Sequence, residues 1–161
     1  MNIFKGIVCW FMTFILIISC NVYEPDYDNI VYDENGNKYY VDFNYENVSL
    51  YVGVGNSINL LEEDVSGILD VFKKECNNPI FSSSISPIVP KDREEAVKYG
   101  ISLLNSCFSE WTYDNNVIVS FNKNANLWVV SGLYLNRYRN NIIGIVVFSA
   151  SSGELIVMGK M

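Results

Sequence analysis

The amino-acid sequence predicts an α+β fold: a curved antiparallel sheet packed on helices, behind an N-terminal export signal. Three patterns lead there. Leu61, Val65, Ile68, Phe72 and Cys76 recur at helical spacing, and so do Val97, Ile101, Leu104 and Phe108. Residues 117–121, 127–131, 142–148 and 155–158 are apolar, strand-like segments, most of them joined by short turns. Residues 6–18 form an apolar run with no charge, preceded by Lys5.

That run is short for a bilayer span, which takes about 20 residues, and has the length of a signal-peptide core. Ile17-Ile18-Ser19-Cys20 follows it and resembles a bacterial lipobox. The resemblance implies cleavage after residue 19, acylation of Cys20 and a lipid-anchored protein of the cell envelope, on the periplasmic side in a Gram-negative cell. An ordinary secretory signal or an uncleaved anchor is the alternative. Residues 20–28 are then an acidic tether containing Pro25. Residues 29–81 form an N-terminal hairpin and helix region, and 82–161 the core that folds with it.

The net charge of −7 becomes −8 once residues 1–19 leave, since they hold Lys5 and no acid. Such a chain suits a basic protein partner and disfavours nucleic acid, whose phosphates need Lys and Arg. Of the four cysteines, Cys9 leaves with the leader and Cys20 takes the lipid. Cys76 and Cys107 remain. They are a candidate disulfide in an oxidising envelope, with two buried free thiols as the alternative.

Along the chain, Asp33-Glu34-Asn35-Gly36-Asn37 separates two β-forming runs, and Asn-Gly there signals a hairpin. Asp33, Asn35 and Asn37 also resemble half a calcium loop, but the twelfth position is Asn44, not Glu, so no metal is expected. Residues 48–54 suggest a third strand. Asn59, with Glu62 three residues on, reads as the cap of the first helix, which Asn77-Asn78-Pro79 stops. Residues 82–90 are a Ser/Pro-rich connector. Asp92 and Glu95 form a capping box for the second helix. The simplest arrangement is one curved sheet wrapped over that helix.

Histidine is absent, and with it the usual neutral-pH base. No nucleophile elbow or phosphate loop occurs. Gly53-Val54-Gly55 is too little for a dinucleotide site. Glu62-Glu63-Asp64 reads as acids favouring a helix start. No catalytic residue and no cofactor are assigned. Trp128, within Leu127-Trp128-Val129-Val130, reads as core. The connector 132–141 stands out because Tyr134, Arg137, Tyr138 and Arg139 crowd there in an acidic chain. Tyr and Arg are favoured interface anchors, which makes these four the candidate partner-binding residues. An ordinary exposed hairpin end is the alternative.

From about Pro90 onward the chain resembles immunity proteins of bacterial polymorphic toxin systems with the nuclear-transport-factor-2-like fold. The resemblance is carried by the helix 92–108 with Ala96 inside it, and by Trp128-Val129-Val130-Ser131-Gly132, like the family's Trp-x-Val-x-Gly strand. The strand 142–148 and the turn Ser152-Gly153-Glu154-Leu155 add to it. The chain departs from the family at Asn116-Val117, where Pro-Phe often stands, and at Asn140-Asn141, where Gly-Gly is common. The resemblance implies a protein that binds and neutralises a cognate toxin without catalysis. The alternative is a general envelope lipoprotein with a cystatin-like peptide- or protein-binding module. A third class is an enzyme using the pocket of this fold, with an Asp base and a Tyr donor.

Overall fold

Ile145, Val146, Val147 and Phe148 are consecutive and all fully buried. Successive strand residues point to opposite faces, so a sheet built on this segment must be covered on both sides. The computed structural model, which describes residues 29–43, 48–52, 56–107, 112–135 and 141–160, has that architecture.

The described chain is α+β. Its elements are β1 (Ile30–Tyr32), β2 (Lys38–Asp42), β3 (Ser49–Val52), β4 (Asn56–Asn59), α1 (Val65–Glu75), α2 (Arg93–Cys107), β5 (Thr112–Asn122), β6 (Leu127–Leu135), β7 (Asn141–Ser149) and β8 (Leu155–Lys160). Six strands form one sheet in the order β1-β2-β5-β6-β7-β8, and β3 and β4 pair as a separate hairpin. The sheet is mixed rather than antiparallel throughout, because β2 runs parallel to β5, with Val41 opposite Val117. Both helices lie in the crossover between these two strands, which is what a parallel pairing requires.

Helix α2 covers one face: Val97, Ile101 and Leu104 pack with Val130, Val146, Phe148 and Met158. Gly100 lets it approach, since a Cβ there would come within 2.7 Å of Val130. Helix α1 covers the other face, where Ile68, Val71 and Phe72 pack with Val129, Ile145, Val147 and Val157. The expected arrangement, one sheet wrapped over the second helix, is corrected accordingly: each face carries its own helix.

The β1–β2 hairpin forms at Asn35-Gly36, with Gly36 at φ 79°. Asp33 organises it. Its carboxylate accepts bonds from the Asn35 and Asn37 backbone N–H groups, the Asn37 side chain and the Tyr39 hydroxyl, at 2.8 to 3.2 Å. Desolvation opposes ionisation, but these bonds outweigh it and hold the carboxyl below its ordinary pKa. The Asp33 carboxylate thus serves the turn.

Helix α1 starts later than expected. Asp64 is its cap, accepting from the Gly67 N–H at 2.8 Å. Asn59 caps only a turn, accepting from the Leu61 and Val48 N–H groups at 3.1 and 3.2 Å. A helix begun at Asn59 would need the Leu60 and Glu63 carbonyls internally, and the Asn122 side chain takes both, at 2.9 and 2.7 Å. Helix α2 is capped as expected: Asp92 accepts from the Glu95 N–H at 2.9 Å. Glu95 in turn accepts from the Lys91 N–H at 2.9 Å, one residue earlier than in the usual box.

Candidate functional site

The sheet has two unlike ends. At one, β6 and β7 pair out to Leu135 and Asn141, while β8 stops at Lys160 opposite Gly144. Tyr134 lies inside β6, opposite Ile142, and not on a connector as the sequence suggested. The register between β5 and β6 shifts between Tyr113 and Val117. Near that irregularity Asn116 Oδ1 is buried without a hydrogen-bond partner among the described residues. Arg137, Tyr138 and Arg139 lie outside the described residues, as do Cys20, the leader 1–19 and the tether 20–28.

Cys76 and Cys107 are free thiols and not a disulfide. Cys76 follows α1, buried in the core on that helix's face of the sheet. Its Sγ donates to the Lys160 carbonyl at 3.0 Å, and Gly159 leaves room for it, since a Cβ there would collide with the sulfur. Cys107 is exposed at the end of α2, on the opposite face. The cysteines share a helix-end position in the sequence, but the sheet separates the two helices. Burial pushes the Cys76 thiol above its ordinary pKa and lowers its thiolate fraction. Maleimide is therefore expected to label Cys107 in the native protein and Cys76 only after denaturation, without any reductant. Protein taken from the envelope with neither thiol reactive after denaturation would restore the disulfide.

At the other end, strands stop at different heights. The last β2 pairing is Asp42 with Ile118, whereas β5 continues to Asn122 and β6 returns from Leu127. This leaves a cleft of about 760 Å³ beyond β2, walled by Phe43, Phe121 and Trp128. Phe121 and Trp128 are cross-strand partners with ring centroids 4.9 Å apart, tilted by 53°. Each of the three aromatics is half-buried rather than buried. Trp128 thus packs against the core and also faces a cavity.

Arg93, in the first turn of α2, reaches the cleft and donates from Nη1 to the Phe43 carbonyl at 3.1 Å. Lys123 enters from the β5–β6 turn, and Glu62 from the turn before α1. Asn59 Nδ2 holds Glu62 Oε1 at 3.1 Å. The sequence reading missed this site because its residues come from four segments far apart in the chain. Only Phe121 and Trp128, flanking a short turn, could have signalled a surface aromatic pair.

Among the described residues no group of three His, Cys, Asp or Glu side chains is placed to hold a metal ion. No helix of these residues is long and apolar enough to cross a membrane. No protein-family model, curated protein or solved structure matches the chain.

Proposed function

We propose that this chain is an exported lipoprotein, held at a membrane by a lipid on Cys20, whose single domain binds and neutralises a cognate protein toxin without turnover. The observation that carries this is the uncharged apolar run 6–18 closed by Ile17-Ile18-Ser19-Cys20, a short way ahead of a domain that begins at Asn29. Strand β1 enters the sheet from Asn29, whose carbonyl accepts from the Val41 N–H at 3.0 Å. Asn29 shares a small recess with Phe43, Asp92, Arg93 and Glu94. Of the proposed anchor residues, Tyr134 stands in β6 opposite Ile142, next to the last β6–β7 pairings. The net charge of −7 supports a partner that is basic where it docks. The nuclear-transport-factor-2-like assignment rests on the capped α2, the Trp128 strand and the Ser152-Gly153 turn, with α1 as an addition on the second face.

Two results are expected. Replacing Cys20 with Ala releases the protein from membranes or leaves an unprocessed precursor, and palmitate labelling that persists in this variant rules the anchor out. The toxin reading is tested by sending the toxin domain encoded next to this gene to the envelope, with and without this protein. Survival only in its presence is the expected outcome; equal killing, with no heat of binding in calorimetry, sinks the proposal. Added salt should slow association, whereas Tyr134→Ala or Arg137→Ala should speed dissociation, by about 2 kcal/mol if either is a hot spot. The aromatic cleft favours the second reading, an envelope lipoprotein with a peptide-binding module.

A further inference from the structure

We propose that the cleft walled by Phe43, Phe121 and Trp128 is a binding site for a ligand that carries a carboxylate beside an aromatic ring. The inference stands on the cleft alone and does not depend on toxin binding.

Charge is the first argument. Lys73, Lys74, Lys91 and Lys98 each have a carboxylate partner at 2.7 to 3.9 Å. Arg93 and Lys123 have no ion-pair partner among the described residues, and both line this cleft. Among the described lining residues Glu62 is the one carboxylate against Arg93 and Lys123, so these residues make the cleft wall locally cationic in a chain of net charge −7. Arg93 is also positioned: the Phe43 carbonyl holds Nη1 and leaves the rest of the guanidinium fork for a planar, bidentate acceptor. A carboxylate has that geometry.

Shape is the second argument. A volume of about 760 Å³ falls in the range of small-ligand sites and admits a dipeptide-sized group. Half-buried aromatics in the wall leave ring surface to be covered, and aromatic rings pack well at offset or tilted angles. Glu62, fixed by Asn59, can accept a hydrogen bond from a phenol or an amide of the same ligand.

Two sources could supply this chemistry. One is a free peptide or aromatic acid. The other is the chain itself, because Tyr23-Glu24-Pro25-Asp26-Tyr27-Asp28 immediately precedes Asn29, and Asn29 shares with Arg93 a recess that Asp92 and Glu94 also line. A segment so close acts at millimolar effective concentration, so weak contacts would suffice.

The test titrates N-acetyl-tyrosyl-glutamate into the full-length processed protein by calorimetry at low salt, with the uncharged diamide as control. Three proteins are compared: the unaltered chain, Arg93→Ala with Lys123→Ala, and a tether variant with Tyr23 and Tyr27 changed to Ser and Glu24, Asp26 and Asp28 to Asn. Arg93 and Lys123 are exposed, so their removal should leave the thermal unfolding transition in place. For a free ligand, the unaltered chain binds the acid at least tenfold more tightly than the diamide, and the double variant loses at least tenfold. For the chain's own segment, the unaltered protein takes up little probe and the tether variant binds it at least tenfold more tightly. Absence of uptake by both the unaltered chain and the tether variant, or equal binding of acid and diamide, overturns the proposal.

Discussion

Replacing Asn122 with Ala is expected to destabilise the protein by about 3 kcal/mol, far more than an ordinary polar residue at a strand end. Asn122 is fully buried. It donates to the Leu60 and Glu63 carbonyls at 2.9 and 2.7 Å and accepts from the Ala125 N–H at 2.9 Å. One side chain therefore closes the β5–β6 turn and fastens the segment before α1 to the sheet. A buried polar group left without its partner costs about 1–3 kcal/mol, and Ala strands more than one. Asn122→Asp should be at least as damaging, because it keeps the acceptor for Ala125 but faces two carbonyls without a donor. Urea unfolding of the three proteins checks this. A loss below about 1 kcal/mol for Ala, within the range of an exposed hydrogen bond, would mean that water replaces the side chain.

Phe148→Ala is expected to cost about 3–5 kcal/mol, the range for deleting a fully buried ring. Phe148 is at 0% exposure. It meets Tyr99 of α2 edge-on, with centroids 5.0 Å apart and planes at 80°. The Tyr99 hydroxyl donates to the Gly153 carbonyl at 2.9 Å, which fixes that ring and prevents it from closing over the space left behind. The cavity should therefore persist, and the near-ultraviolet circular dichroism from Tyr99 should weaken even where the variant stays folded. Phe148→Leu, which restores most of the volume, should recover more than half of the loss. Equal losses for the two variants would show that the aromatic pair, and not the filled volume, stabilises this face.

Local signals in the chain were the legible ones. Asn35-Gly36 and Asp92 with Glu95 act within a few residues, so neither the hairpin nor the start of α2 depended on distant contacts. The first helix start was misplaced because Asn59 and Asp64 are both competent caps. What separates them is Asn122, about sixty residues away. The two-sided sheet was in fact written in the sequence: Ile145-Val146-Val147-Phe148 lacks the alternation of a strand with one wet face. Assigning the strand without reading both of its faces hid the second layer. The cleft could not be read in advance, because nothing near Phe43 or Arg93 in sequence announces that β2 ends before β5 does. The parallel pairing of β2 with β5 was hidden for the same reason.

The connector between the helices has a consequence for copies of this domain that meet one another. Ile80 and Met158 exchange backbone hydrogen bonds at 2.8 Å in both directions, and Ile88 lies against Gly153. The connector thus follows the outer border of β8, where a bare strand would offer its N–H and C=O groups to any neighbouring chain. Pro79, Pro87 and Pro90 lack the N–H that a further strand would need, so the covering segment is itself a poor template. At the far border β1 is only three residues long. The lipid anchor proposed above would confine the domain to two dimensions and raise the rate at which identical copies collide. Blunted borders at both sides of the sheet would let such a population stay crowded without zipping into fibrils.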